Sequence, residues 1–285
     1  MGIKVEHISY TYGKRASNST LALDDVSFNV NDNEFLAIVG ETGSGKSTLA
    51  QMFNALLIPD KGQVIVNDYL INYKNRKGKK LKGLRRHVGL VFQFPEYQLF
   101  EETVEKDVAF GVKNFGLKGE EALKKAHEAL SLVGLDKSYY KRQPFELSGG
   151  ERRKVAIAGI LAIDPEIIIF DEPTVGFDPS SAKELMNLIV ELHQKGKTII
   201  VITHDMDLVR RYAQRVLLLE KGKLVFEGTP AELFAFVQNY DRLEIPQVIR
   251  LAMKLKEKGA DIDVGAIRRS DDLIKEIQKW RAKNG

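Results

Sequence analysis

Gly40-Glu41-Thr42-Gly43-Ser44-Gly45-Lys46-Ser47-Thr48 satisfies the pattern G-x-x-x-x-G-K-[ST] at every fixed position. Residues 34–39 (EFLAIV) form a short apolar run that reads as a buried strand, and residues 47–57 (STLAQMFNALL) carry helical apolar spacing. The loop therefore stands between a strand and a helix N-terminus. Its glycines let the backbone turn tightly and aim N–H groups inward as an anion-binding nest. The helix end adds unpaired donors and the positive end of its dipole. Lys46 brings a full charge to the β- and γ-phosphates of a nucleotide, and the Ser47 hydroxyl is placed to bind Mg2+. A glycine-rich turn that merely contained a lysine would not arrive with both flanks in place.

Composition narrows the class. The chain has 285 residues, 44% hydrophobic and 29% charged, the profile of an ordinary globular protein. That length holds one large domain, or one domain with an appendage. With no cysteine, neither a disulfide framework nor a cysteine metal site is available. A net charge of +4 is too small to argue for nucleic acid. No apolar run approaches the roughly 18–20 residues that span a bilayer, and the first residues (MGIKVEHISY) lack the apolar core of a secretory signal. Any membrane role is expected to come through a partner.

Around the loop, the chain reads as alternating strands and helices. Residues 3–10 alternate as a half-buried strand, residues 11–20 read as a loop, and residues 21–30 as a strand pair with a bend. An antiparallel β layer thus precedes the phosphate loop. Tyr12, in the loop after the first strand, is either a base-stacking ring or a surface turn tyrosine. The basic run Lys74, Arg76, Lys77, Lys79, Lys80, Lys82, Arg85 and Arg86 lacks interleaved aromatics and reads as a solvated loop and helix start rather than a nucleic-acid surface.

Three further strand ends and one helix start carry chemistry. Residues 87–92 (HVGLVF) lead to Gln93, at the edge where ligands bind in α/β sheets, able to hold Mg2+ and an attacking water. Residues 94–100 (FPEYQLF) look like an exposed aromatic loop with an acid, the composition of a partner surface. Residues 105–114 and 119–133 are helical by period. Leu147-Ser148-Gly149-Gly150-Glu151 then opens an apolar helix: Ser148 is a good N-cap, and two glycines bare a second anion-binding helix end. Residues 166–170 (EIIIF) end in Asp171-Glu172, two adjacent carboxylates that call for a cation. Asp171 reaches the metal, and Glu172 is left to polarise a water toward the γ-phosphate. Residues 197–203 (KTIIVIT) end at His204, which can contact a γ-phosphate and respond to nucleotide state. A hairpin over 217–227 follows. Thr229-Pro230-Ala231-Glu232 is a capping box that starts a helical tail broken at Pro246, Gly259 and Gly265, with a last helix from Ser270 carrying Trp280.

Tyr12, Gly40 to Thr48, Gln93, Leu147 to Glu151, Ile167 to Glu172 and His204, in that order, resemble the ATP-binding-cassette (ABC) ATPases over residues 1 to about 228. The stretch from Phe92 to Phe100, the Phe177-Asp178-Pro179 turn, the single cassette and the short tail narrow the resemblance to the ATPase subunits of energy-coupling factor (ECF) importers.

The resemblance implies an α/β P-loop NTPase fold: a mixed sheet, an N-terminal antiparallel layer, a helical subdomain at about 95–162 and a C-terminal helical appendage at 229–285. It implies a head-to-tail dimer with two ATPs, each held by one chain's Gly40, Glu41, Thr42, Gly43, Ser44, Gly45, Lys46, Ser47 and Thr48 and the other chain's Ser148, Gly149 and Gly150. Tyr12 would stack on adenine; Glu172 would be the general base, His204 the γ-phosphate sensor, and Ser47, Gln93 and Asp171 would serve Mg2+. The implied partners are a sister ATPase chain rather than a second copy, a membrane T component docking on Glu96 to Phe100, and a substrate-binding S component reached indirectly. Nucleic acid is not among them. The implied place is the cytoplasmic face of the membrane, and the substrates are vitamins or other micronutrients.

Two departures stand out: Glu151 where the family usually has glutamine, and Val175-Gly176-Phe177-Asp178 in place of Ser-Ala-Leu-Asp. A soluble cassette ATPase of DNA repair or translation is the competing class. Such chains carry long coiled coils or a second cassette, whereas the interval between Thr48 and Leu147 shows no sustained heptads and the chain has a single phosphate loop.

Overall fold

The apolar run before the phosphate loop forms strand β3 (Phe35–Val39), buried at every residue. Its two faces look into different cores. Leu36 and Ile38 pack toward the N-terminal sheet, while Phe35, Ala37 and Val39 pack toward the helices. A strand covered on both sides needs apolar residues at successive positions, which is why the run does not alternate. Full burial of each large side chain contributes roughly 1.5–3 kcal/mol.

The computed structural model describes residues 2–14, 19–75, 80–237, 243 and 245–284. Arg76, Lys77 and Lys79 of the basic run lie outside the described residues, as does part of the tail after α8.

Two sheets organise the chain. β1 (Ile3–Tyr12), β2 (Thr20–Val30), β4 (Lys61–Val66) and β5 (Tyr69–Ile71) form an antiparallel sheet in the order β2-β1-β4-β5. The second sheet takes in β6 (Val88–Val91), β7 (Ile167–Asp171), β8 (Thr198–Ile202), β9 (Arg215–Glu220) and β10 (Lys223–Gly228), ordered β10-β9-β3-β8-β7-β6. β6, β7, β8, β3 and β9 run parallel and β10 returns antiparallel, so the sheet is mixed. Parallel neighbours place their C-terminal ends on one edge. The residues following β3, β8, β7 and β6 therefore stand side by side: Gly40, Thr203 and His204, Glu172, and Gln93.

Two local expectations are corrected. Tyr12 ends β1 rather than lying in a loop, paired with Thr20, as Thr11 is with Leu21. Residues 20–30 form one strand with register shifts against β1 instead of a strand pair. Cross-strand pairing carries both strands through polar residues that by composition favour a turn.

The helices fill the remaining layers. α1 (Lys46–Phe53) follows the phosphate loop, and α2 (Lys80–His87) precedes β6. Within α2, Arg85 donates to the carbonyls of Asn54 and Ala55, fixing it to the end of α1. α3 (Val104–Asn114), α4 (Gly119–Leu132) and α5 (Gly149–Leu161) pack together through Val104, Val108, Ala126, Leu130, Val155 and Ala158. α6 (Pro179–Gln194) and α7 (Met206–Tyr212) cover the sheet. The tail supplies α8 (Pro230–Phe236), capped by the Thr229–Glu232 box, then α9 (Gln247–Glu257) and α10 (Ser270–Asn284). Leu233, Phe234, Ile249, Ala252, Ile267 and Leu273 are buried in the same core as α5 to α7. Arg268 also clamps the tail to α7 through the Arg210 and Ala213 carbonyls. Among the described residues no helix is long and apolar enough to cross a membrane.

Candidate functional site

Glycine is obligatory at two points of the phosphate loop. At Gly40 (φ 142°) a Cβ would lie 2.1 Å from the Leu219 carbonyl oxygen, and at Gly45 (φ 103°) it would lie 2.5 Å from that of Ala22. Gly45 is also the N-cap of α1, in left-handed conformation, and no side chain caps the helix. The first-turn amides of α1 are thus left to an incoming anion. Lys46 is buried and donates to the carbonyls of Gly40 (2.7 Å) and Glu41 (2.8 Å), which holds its ammonium over the loop.

The next strands bring the opposing charges. Burial pushes the Asp171 carboxyl above the ordinary aspartate value, against a hydrogen bond from Ser47 and the field of Lys46. Burial likewise lowers Lys46, against the pull of Glu172 and Asp171. Both groups are short of solvation, a state that a charged ligand would relieve. Among the described residues no cluster of three or more His, Cys, Asp or Glu side chains could hold a metal. Mg2+ does not need one, since it is commonly bound by one or two protein oxygens together with substrate phosphates and water. The Ser47–Asp171 pair fits that donor set, and Gln93 is exposed just beyond β6, the strand that neighbours β7.

Glu172 is held from three directions. Its amide donates to the Ile202 carbonyl at 2.9 Å. One carboxylate oxygen lies 2.8 Å from His204 Nδ1, and the other accepts from the buried Thr203 hydroxyl at 3.4 Å. Its φ of 50° is a left-handed value rare outside glycine, and strain of this kind persists where surrounding bonds fix the backbone. An ionised carboxylate can only accept, so His204 Nδ1 carries the proton of that bond and Nε2 is left to face another group. A cleft of about 660 Å³ opens beside the pair, lined by Glu172, His204 and Arg210 and, from the tail, Ile245, Gln247 and Ser270. Sequence reading placed no tail residue near the catalytic edge.

Tyr12 stands at the other side of the loop. Its hydroxyl is 3.2 Å from the Thr48 hydroxyl, and its ring, 41% exposed, is braced edge-on by Tyr10 at 4.9 Å. The ring therefore sits beside the start of α1 with a face toward solvent, a placement that suits stacking on a base.

The start of α5 carries the cap expected at Ser148. Ser148 caps α5 and forms a reciprocal box with Glu151: the Ser148 amide donates to Glu151 at 2.8 Å, and the Glu151 amide donates to the Ser148 hydroxyl at 3.3 Å. Tyr139 holds the remaining Glu151 oxygen at 2.8 Å. The bonds from Ser148, then Tyr139, keep the Glu151 carboxyl below the ordinary glutamate value. The departure from glutamine is thus a capping carboxylate engaged within its own helix end. Asp178 in the other departing motif caps α6 through the Ser180 and Ser181 amides. Ser148, Gly149 and Gly150 are exposed, and among the described residues no hydrogen bond or ion pair joins them to residues 40–48. One chain thus presents two helix N-termini that are separate from one another.

The loop at 94–100 differs from expectation in one respect. Pro95–Gln98 is a 3-10 turn that sends Tyr97 (84% exposed) and Phe100 (59%) outward but turns Glu96 inward, 3.6 Å from the buried Arg153. An unpaired guanidinium inside the fold is costly, and Glu96 is its carboxylate. Arg153 escaped the sequence reading because the run Arg152-Arg153-Lys154 reads as a solvated helix face.

Residues 23–175 match the family described as ABC transporter. The chain is similar to the energy-coupling factor transporter ATP-binding protein EcfA2 of Streptococcus pneumoniae, 48% identical over 261 residues, 91% of this chain and 93% of that protein. It is 46% identical over 279 residues to EcfA2 of Caldanaerobacter subterraneus, covering 96% of each. Among solved structures it resembles cbiO1 from Clostridium perfringens, part of the ABC transporter complex cbiONQ, with a TM-score of 0.72 and 36% identity over 90% of this chain and 96% of that one. It also resembles the ATP-binding cassette MJ0796, a dimer bound to ADP and Pi, with a TM-score of 0.72 and 32% identity over 80% of this chain and 98% of that one.

Proposed function

This chain belongs to the ABC transporter family, in its energy-coupling factor branch, and from that premise we propose how its residues share the work of an ATP-hydrolysing importer subunit. It binds ATP and hydrolyses it to energise transport, as one component of a multi-subunit transporter. The cassette occupies residues 1–228, with its helical part at about 95–162, and residues 229–285 are an extension.

Residues 40–48 and Lys46 grip the phosphates while Tyr12 stacks on the adenine. Ser47, Asp171 and Gln93 hold Mg2+, which when bound neutralises charge on the phosphates. Glu172 takes a proton from the attacking water, oriented by His204 and Thr203, and His204 Nε2 faces the γ-phosphate. The observation that carries this reading is the Glu172–His204 bond on the same sheet edge as the phosphate loop. The second jaw of each ATP site is the Ser148–Gly150 helix end of another cassette. The exposure of that end and its separation from residues 40–48 support this. A sister ATPase is the preferred partner chain. No observation favours the nucleic-acid reading.

The membrane T component docks on the aromatic surface formed by Phe94, Tyr97 and Phe100, with the S component reached through it, which places the chain on the cytoplasmic face of the membrane. Phe94 and Tyr97 lie 6.2 Å apart, and Phe100 meets Phe110 edge-on at 4.8 Å, so this short segment carries two exposed aromatic pairs. Tyr97 makes the sharper probe than Glu96, since its removal leaves the core intact. Tyr97→Ala is expected to weaken recovery with the membrane component about 30-fold, the effect of a tyrosine hot spot near 2 kcal/mol. Affinity purification from membranes measures it, with ATP affinity of the isolated chain unchanged. Undiminished recovery would remove the docking assignment.

A further inference from the structure

Arg153 lies in α5, five positions past the Ser148 cap, and is 4% exposed. Its fork reaches three segments. Nη2 donates to the Gln93 carbonyl and Nη1 to the Val175 carbonyl. Nε faces Glu96 Oε2, a buried oxygen with no hydrogen bond of its own. The guanidinium also lies 4.9 Å from the centre of the Phe177 ring and 5.7 Å from that of Phe94. Gly176, between Val175 and Phe177, has φ 82° and leaves 3.4 Å between a notional Cβ and Nη1, so the turn is shaped closely around this side chain.

The chemistry is specific to arginine. Two carbonyls in different directions need a planar fork with separate donors, which a lysine ammonium on a flexible stem does not reproduce. Both carbonyls belong to segments that leave the sheet edge carrying the phosphate loop: Gln93 follows β6, and residues 175–178 follow Glu172 after β7. The third partner, Glu96, belongs to the aromatic loop. Because α5 begins at the exposed anion-binding end, the same side chain joins that end to all of them.

We propose that Arg153 is a positioning residue that couples the 93–96 segment, the 175–178 turn and the Ser148 helix end as one moving unit. A displacement imposed on the aromatic loop is thereby delivered at once to what this chain contributes to two ATP sites: the Gln93 edge of one and the Ser148 helix end of the other. The inference rests on the reading of Gln93 and of the docking loop given above. Docking itself is read separately by recovery of Tyr97→Ala, so failure of one is distinguishable from failure of the other.

The test is a double-mutant cycle on ATP hydrolysis by the purified transporter, pairing Phe94→Leu with Phe177→Leu. In the native background the two are expected to depart from multiplicative effects on kcat by at least about 3-fold, and in Arg153→Lys to become independent. Arg153→Lys alone should lower kcat about 10-fold, comparable to losing a positioned hydrogen bond, with KM for ATP essentially unchanged. A merely structural role would move stability and KM but leave the cycle as it was. If Arg153→Lys does not assemble, Arg153→Met with Glu96→Gln removes both charges without orphaning a buried carboxylate and should give the same independence. A cycle that is independent in the native protein, or equally coupled after either replacement, overturns the proposal, as does native kcat in Arg153→Lys.

Discussion

Glu172→Gln is expected to lower ATP hydrolysis by roughly 10²–10⁴-fold, the usual contribution of a positioned general base. The amide keeps the shape of the carboxylate but cannot take a proton from water. The single glutamine oxygen still accepts from His204 Nδ1, the amide NH2 can donate to the Thr203 hydroxyl in place of the lost acceptor, and the backbone amide of residue 172 keeps its bond to the Ile202 carbonyl, so the left-handed backbone there keeps its supports. ATP binding should therefore survive, because neither the loop glycines nor Lys46 depend on the charge of Glu172 for their main contacts. Steady-state phosphate release by the purified transporter, alongside nucleotide binding by the same variant, makes the check. Hydrolysis within a few-fold of native would show that another group is the base.

Lys46→Ala is expected to act one step earlier. Truncating one member of a buried, hydrogen-bonded charge pair costs about 2–5 kcal/mol, or roughly 30- to 4,000-fold in affinity. The ammonium is buried over the loop and counters both Asp171 and Glu172. Its loss removes the cation that would meet the phosphates and leaves two carboxylates facing them. Titration calorimetry of the isolated chain with ATP measures the loss, and a thermal melt separates it from unfolding, since Lys46 also bridges the Gly40 and Glu41 carbonyls. Native affinity in this variant would place ATP elsewhere.

Much of the site was legible because each chemical residue stands directly after a short apolar run. Ile167 to Phe170 and Thr198 to Ile202 are buried at every position, so Asp171, Glu172 and His204 had to emerge at strand ends. What stayed hidden depends on three-dimensional neighbours. The inward turn of Glu96 is set by Arg153, and the environment of Arg153 by where α5 lies against the two loops; neither leaves a trace in local pattern. The polar neighbours of Tyr12 favour a loop, while pairing with Thr20 decides its conformation. The helix after His204 is only seven residues long, too short for periodicity to show, although the Asp205 cap was there to be read. The tail could be read as helical, but its share in the core and its approach to the catalytic cleft follow only from packing.

The separation of the two anion-binding ends is the claim on which the clamp-like reading depends, and Gly149→Asp tests it most directly. A Cβ at Gly149 meets nothing within 4 Å in its own chain, and an acid in the first turn suits the helix dipole, so the variant should fold normally. ATP affinity of the isolated Gly149→Asp chain is expected to stay within about 2-fold of native, as for an unobstructed surface change. Loss of affinity comparable to that of Lys46→Ala would mean that both ends serve one ATP within one chain, and would contradict a site shared between two.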